Sequence, residues 1–577
     1  MRRLIPRRTS GLVGSLVVVG LLAACAQVPH QGPVVEASNN VEPPPPQVQY
    51  NNPKGPQPGA TAADIVTGFL VAMTATPLQT TTAQKFLSNQ ARAEWQPERV
   101  VTYNDHTLAR GTEHVVVRLR GADQVGVRGE WRGPVPAEDR RIVFPMVRES
   151  DEWRIARAPD ALIVPRTFFD QQYQSAQVYF FDPTGRILVP EPVHVPQGSQ
   201  LASALVRALV RGPSPSLSAV SRSFLPHGLT PGVLPVGRDG VADVTLKGPD
   251  PGPLGDTTQQ ILAQLAWTLR QDPEIKAFTL SIAGRAVADA SGTSPVRVDS
   301  DEFDRVDPGV DSASAYVYAL RRGRLVSGQI VRPTPVDGPF GRADLGIGPF
   351  AVRLDGNEVA GVTDRSLLVG PVTGTGRATE ALSGTGLLRP AWDFADRLWD
   401  VQDGTGGSIV VYLADGRRHQ VTVPGITGED VRRFLVSRDG SRIVAVLRGP
   451  NADRIVAARL QYDADGRALG ATRTHVIRWV SSGTTRIRDI GWTSPTTIAV
   501  LDQLSPSRAE VRVLSVDGST PPDQAAPTQV SGRVSGLVAS PVDKPYAVGR
   551  SGLIDISPVD LNKLIPIDHL HHLTYAG

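Results

Sequence analysis

The 577-residue chain has a single cysteine, Cys25. One thiol excludes an intrachain disulfide framework and a cysteine-rich zinc site. Aromatic residues make up 6% of the chain, against 56 glycines and 49 prolines. That balance suits a loop-rich β protein and disfavours an all-helical one. An excess of one charge is also missing: 60 basic residues meet 57 acidic ones, leaving a net charge of +3. A nucleic-acid binder concentrates its basic residues on one face, so no nucleic-acid partner is expected. Familiar catalytic signatures are absent as well. There is no Gly-x-Ser-x-Gly elbow and no His-Glu-x-x-His helix. Gly374, Gly376, Gly384 and Gly386 are not followed by the Lys-Ser or Lys-Thr of a phosphate loop, and they read as inter-strand loops. His569, His571 and His572 cluster, but no carboxylate or further histidine falls at a recognisable ligand spacing. No cofactor, metal or enzymatic activity is expected.

What is present begins with an export signal. Arg2, Arg3, Arg7 and Arg8 precede an uncharged apolar run at residues 11–24. The run is short of the roughly 20 residues a spanning helix needs. It ends in Leu22-Ala23-Ala24-Cys25, which resembles a bacterial lipobox. Residues 1–24 are expected to be a signal peptide, cleaved between Ala24 and Cys25. Small residues fit a peptidase cleft, and the Cys25 sulfur is the nucleophile that takes the acyl lipid. Two or more acyl chains anchor a protein stably where one is marginal. Arg7-Arg8-Thr9 admits twin-arginine export, although Pro6 and the missing aromatic favour the general route. Residues 25–60, with Pro43-Pro44-Pro45-Pro46 at their centre, read as a semi-rigid tether.

Three folded regions follow. In residues 61–170, Ala62, Ile65, Val66, Phe69, Leu70 and Met73 repeat at helical spacing behind a cap at Thr61. A second helix is expected at residues 82–95, then strands near 114–120, 125–128, 142–147 and 153–155. Two helices followed by a curved sheet resemble an NTF2-type α+β domain. His106 and His114 are expected on its surface or strands, without a catalytic role. Residues 176–290 hold an apolar strand turned by Asp182-Pro183-Thr184-Gly185, a helix ending in Arg211-Gly212-Pro213, a helix at 257–271 and a strand at 277–282. This order resembles the GerMN domain of spore-germination and envelope proteins, a family with no assigned catalytic residues to carry over.

Residues 311–577 contain an internal repeat. Ala351-Val352-Arg353-Leu354-Asp355-Gly356 and Phe434-Leu435-Val436-Ser437-Arg438-Asp439-Gly440 are its clearest copies. Looser copies begin near Pro390, Gly491 and Val538. A spacing of roughly 40–55 residues matches propeller blades. A second element, Val410 to Gly416 and again Val513 to Gly518, ends in the Asp-Gly turn that closes hairpins. A β-propeller of five to seven blades is expected. Ser437-Arg438-Asp439-Gly440 superficially matches the Asp box of sialidases, but Gly follows Asp directly and the later Thr-Trp is missing.

Lipobox, tether, NTF2-like domain, GerMN-like domain and propeller, in this order, resemble the actinobacterial lipoprotein LpqB family. The resemblance implies a lipid-anchored protein on the extracytoplasmic face of the cell membrane. It also implies a partner, the extracytoplasmic domain of an MtrB-like sensor kinase of the MtrA–MtrB two-component system, with effects on cell division and envelope homeostasis. The alternative is a peptidoglycan- or glycan-binding module read by the GerMN-like domain.

Overall fold

The computed structural model describes residues 51–111, 113–477, 486–519, 527–557, 561–567 and 569–577. The signal peptide, Ala24, Cys25 and the tether up to residue 50 lie outside the described residues. Among the described residues no helix is long and apolar enough to cross a membrane.

Thr61 opens the first helix, Ala62–Ala72, with a reciprocal cap. Its hydroxyl accepts the Asp64 N–H at 3.3 Å, and the Asp64 carboxylate accepts the Thr61 N–H at 3.1 Å. Ile65, Val66 and Phe69 are fully buried beneath it. The helix expected at 82–95 is instead two short ones, Thr81–Gln84 and Asn89–Glu94. Leu87 bridges to Ile155, and the Ser88 N–H donates to the Ile155 carbonyl at 2.9 Å. Ser88 Oγ then caps the second helix by accepting from Ala91 N. Cross-chain pairing outweighs helical periodicity at this point.

The strands of this domain form two four-stranded sheets. One holds Arg99–Tyr103 and Ala161–Pro165; the other holds Asp105–Arg110, His114–Arg120, Arg141–Glu149 and Glu152–Ile155. The strand expected at 125–128 is Asp123–Val125, because residues 126–130 turn. Gly126 N donates to Glu130 O at 2.8 Å and Gly129 N to Gly126 O at 3.0 Å. His106 and His114 lie on strands, half-buried and exposed. Residues 51–60, counted above with the tether, rest on this domain. Asn51 and Thr76 exchange backbone hydrogen bonds of 3.2 and 2.9 Å.

The second domain starts with the hairpin Tyr173–Phe181 and Leu188–Pro196, ahead of residue 176. Asp182 shapes its turn by accepting from Arg186 N and Ile187 N at 2.8 and 3.1 Å. Helices Leu201–Val210 and Thr258–Leu269 cover the hairpin and the parallel strands Val241–Lys247 and Ala277–Ile282. Gln264, fully buried, donates to Tyr179 O at 2.9 Å and accepts from Phe224 N at 2.8 Å. The core of this domain runs past residue 290 to Phe303 and Val306.

Six antiparallel sheets make the propeller. Blades 2 to 6 each run sequentially outward, and their innermost strands are Phe350–Val352, Ala391–Trp392, Val431–Val436, Ile487–Ser494 and Val534–Val538. Blade 1 is composite. Its outer three strands are Val317–Arg321, Arg324–Gly328 and Thr334–Pro335, and the C-terminal Leu570–Thr574 completes it from inside. The ring is thereby closed by hydrogen bonds between its two ends. The five sequence repeats are the first hairpins of blades 2 to 6.

Asp400, in the second strand of blade 3, is 1% exposed, and its Oδ2 has no hydrogen-bond partner. Burial raises its pKa well above the carboxylate range. Between the unfolded and folded pKa values the native state therefore binds more protons, so stability falls as pH rises through that window. Asp400→Asn has no charge to bury. It is expected to exceed the parent by about 1 kcal/mol or more above the window and to match it near pH 4. Urea unfolding at both pH values checks this; equal stability at pH 8 would refute it.

Candidate functional site

The three domains meet around a cavity of about 960 Å³. The first domain contributes Asp123 and residues 130–134, the second Glu191, Pro192, Ser214 and Ser216, and blades 4 and 5 the rest. Polar joints fix the walls. Between the first two domains, Arg211 caps its helix and reaches the Val127 carbonyl and Glu98 Oε1, the latter at 2.5 Å. The Arg128 guanidinium returns a bond to Arg211 O at 3.2 Å, and His194 N donates to Gly129 O at 2.7 Å. Gly129 has φ +84°, and a Cβ there would lie 3.1 Å from the His194 carbonyl, so glycine lets the two backbones meet. The His194 ring packs against Trp131 and Phe169 of the first domain. Burial lowers its pKa and keeps it neutral.

The propeller joint centres on two arginines. Arg442 and Arg459 are direct cross-strand partners in blade 4. Like charges in that register repel, so the pair persists only with compensation. Arg442, 3% exposed, donates to the carbonyls of Pro190 in the second domain and Pro495 in blade 5. Asp439 lies 3.9 Å from it. Glu191 of the second domain lies 3.8 Å from Arg459 and is itself held by Ser214 N at 3.0 Å and Ser214 Oγ. Burial first, then the neighbouring Arg459, pushes the Arg442 pKa down to about 9. At neutral pH both guanidinium groups remain charged. The joint is completed by Gln177 Nε2 donating to Thr496 Oγ1 at 2.8 Å and by Arg186 over the Phe394 ring.

The cavity is polar and carries both signs of charge. Arg132, Arg473 and Arg512 face it together with Asp123, Glu130 and Asp517. The Ser214 and Ser519 hydroxyls donate to the Glu191 and Asp517 carboxylates. His475 Nε2 is bound to the Val516 carbonyl at 2.7 Å, and burial lowers its pKa. Among the described residues no three His, Cys, Asp or Glu side chains converge as a metal site. The arrangement suits recognition of a polar, multiply charged ligand. Glu191, Arg442, Arg459 and Asp517 escape a motif search because they come from distant segments. The available signal is an arginine inside an apolar strand, as in Ala457-Ala458-Arg459-Leu460.

Of the sequence-derived positions, Ala24 and Cys25 lie outside the described residues. Gly374 and Gly376 lie between the third and fourth strands of blade 2, and Gly384 and Gly386 between blades 2 and 3. Ser437 to Gly440 is the first turn of blade 4, where Ser437 Oγ and Ser441 N bond Asp439 Oδ1 at 2.5 and 2.8 Å.

An α+β domain and a GerMN-like domain fused to a six-bladed propeller define a multidomain propeller protein. Its N-terminal and propeller regions match the families described as "Lipoprotein LpqB, N-terminal domain" at residues 55–170 and "Lipoprotein LpqB beta-propeller domain" at 323–555. Residues 177–288 match "Sporulation and spore germination". Lipoprotein LpqB of Mycobacterium tuberculosis is 30% identical over 483 residues, covering 75% of this chain and 78% of its own. Lipoprotein LpqB of Thermobifida fusca is 27% identical over 579 residues, covering 89% and 90%. The chain belongs to the lipoprotein LpqB family. The first GerMN domain of the sporulation protein GerM from Bacillus subtilis is 22% identical, covers 22% of this chain and 95% of that one, and has a TM-score of 0.17.

Proposed function

We propose that this protein is a non-enzymatic accessory of an envelope sensor kinase, anchored through lipidated Cys25 on the extracytoplasmic face and bound to the kinase's extracytoplasmic domain. The supporting observation is the three-domain cavity. Its walls are braced by buried charged contacts, and it offers charged groups of both signs for binding. A braced body can favour one kinase state over another, and a ligand shifts an equilibrium only by its differential affinity. Anchoring in the same membrane raises the effective concentration of the two partners.

Capture of residues 51–577 on the immobilised sensor domain of an MtrB-like kinase is the direct test. Binding that weakens on Arg473→Glu, at the exposed cavity rim, is the expected result. No binding by either the soluble or the lipid-anchored form would overturn the reading. Cys25→Ala is expected to abolish acylation and release the protein from membranes while capture by the purified sensor domain persists. A variant still acylated and sedimenting with membranes would contradict the anchor. A wall-polysaccharide ligand is the second reading, favoured by Trp131 in the cavity wall; retention on purified wall material instead of the sensor domain would select it.

A further inference from the structure

The walls of the three-domain cavity are not joined equally. The second domain is fixed to the propeller by Arg442 on the Pro190 carbonyl, Arg459 beside Glu191 and Gln177 on Thr496. Among the described residues no hydrogen bond or ion pair ties the first domain directly to the propeller. The first domain presents its edge strand, Trp131–Pro134, to the cavity, yet it hangs on the second domain alone. Arg211, Arg128 and the Gly129–His194 backbone bond hold it there, with Gln197 N on the Gln172 carbonyl at 3.0 Å and Gln200 Nε2 on the Leu78 carbonyl at 3.2 Å. The helix Arg166–Gln172 passes without a break into the strand Tyr173–Phe181, which keeps the domain attached and supplies a pivot.

His194 sits in the middle of that joint. Its ring is 7% exposed and lies 5.4 Å from Trp131 and 5.6 Å from Phe169, centroid to centroid. Nδ1 is buried and has no hydrogen-bond partner, so a proton placed there gains no acceptor in the slot. Arg166 already lies over the Trp131 ring and pairs with Asp123, and an imidazolium would bring a second cation to the same aromatic wall. The charged groups facing the ring are Arg166 and Asp170 from the first domain's helix and Asp517 from blade 5. Glu130, beside Gly129, is occupied by Arg128 N at 3.0 Å and Arg132 Nε at 2.8 Å. Tyr173, stacked on Phe169, stays neutral because burial raises its pKa. Burial acts most strongly on His194 and lowers its pKa; Asp517, the Gly129 carbonyl and Asp170 oppose that shift, and Arg166 adds to it. His475 is the imidazole of the cavity wall itself, but it links blade 4 to the Val516 carbonyl of blade 5 and lies outside this joint.

We infer that the first domain is a proton-gated wall of the cavity, closed on the second domain while His194 is neutral and released when His194 takes a proton. This gate rests on the binding role proposed above for the cavity and regulates it. In the closed joint the imidazole titrates below its ordinary value; in the open joint the ring meets water and regains about 6.5. Between those two values the open state binds more protons, so closure weakens as pH falls. The closing equilibrium loses up to about tenfold per pH unit across that window. Arg211 and Arg128 keep their charge throughout, so the apolar seat of His194 is the part of the joint that pH addresses.

Residues 51–577 contain no cysteine, so two introduced thiols can be spin-labelled without background. Arg118→Cys, exposed on the first domain, and Leu469→Cys, 67% exposed on blade 4, report the distance across the joint. A single short distance is expected at about pH 7.5, with a longer population growing in toward about pH 5. His194→Phe keeps an aromatic ring in the slot and takes no proton; it should hold the short distance at both pH values. Gly129→Ala puts a Cβ 3.1 Å from the His194 carbonyl and should show the longer distance at both. A parent distance that ignores pH, or the same pH response in His194→Phe, overturns the gate. Deuterium exchange at His194 Cε1, read by mass spectrometry on the unmutated chain, needs no variant to fold. Its midpoint must lie below the ordinary imidazole value, and one at or above that value also overturns the gate. Capture by the kinase sensor domain, read at both pH values, separates the two ideas. A pH-driven distance change without capture refutes the binding role and leaves the gate standing; capture with a fixed distance refutes the gate alone.

Discussion

Replacing Asp393 by alanine is expected to cost the propeller about 3–5 kcal/mol, the usual loss when one partner of a buried ion pair is removed. Asp393 is fully buried at the first turn of blade 3. One oxygen accepts the Ala395 and Arg397 N–H groups at 3.0 and 3.2 Å; the other accepts Arg397 Nε at 2.7 Å and Trp399 Nε1 at 2.8 Å. Arg397 is 5% exposed, lies over the Tyr462 ring and donates to Gly466 O in blade 4. Without the carboxylate, a buried guanidinium loses its counter-charge and an indole loses its acceptor. Trp399 packs 4.9 Å from Tyr412, so its fluorescence reports the event directly. Urea unfolding followed through tryptophan emission should show a midpoint far below the parent's. A shift equivalent to under 1 kcal/mol would show that the cluster is replaceable.

Arg438→Met should loosen the closure of the ring. This side chain is 4% exposed and donates to Gly309 O at 3.1 Å and to Ala576 O at 2.6 Å. It thereby ties the segment entering the propeller to the residues leaving it. Burial lowers its pKa to about 10, opposed by Asp543, Asp307 and Asp311, so it is charged at neutral pH. Methionine fills much of the volume but leaves two carbonyls without donors, a cost of about 2–4 kcal/mol. The expected sign is faster amide exchange in Leu570–Thr574 and in its partner strand Val317–Arg321, with blades 3 to 5 unchanged. Unaltered exchange in both strands would place the closure elsewhere.

The multidomain order and the propeller were legible in the sequence because their signals are local. Asp355-Gly356, Asp439-Gly440 and Asp415-Gly416 mark tight turns, and at the last pair both residues take positive φ, 51° and 68°. The number of blades was not legible. Blade 1 has no continuous first hairpin, since its innermost strand comes from the far end of the chain, and a repeat search finds only the other five. The helix at 82–95 looked continuous because Phe86, Leu87 and Trp95 share a side; Ile155, remote in sequence, interrupts it. The strands Arg99–Tyr103 and Ala161–Pro165 were missed because they pair with each other in parallel, without a hairpin turn between them. The cavity was hidden for the same reason. Its charges come from three domains, and the cross-strand arginines become neighbours only after blade 4 forms.

The composite blade also sets an order of events as the chain emerges. A chain that emerges from its N-terminus during synthesis presents both leading domains and five blades before the strand that seals the ring arrives. Until then Val317–Arg321, an apolar segment, has an unpaired inner edge, the kind of edge that recruits foreign strands. The exposure lasts as long as the remaining propeller takes to emerge. Slow or interrupted delivery of the last few residues is therefore the stage at which this protein is most vulnerable to aggregation and proteolysis.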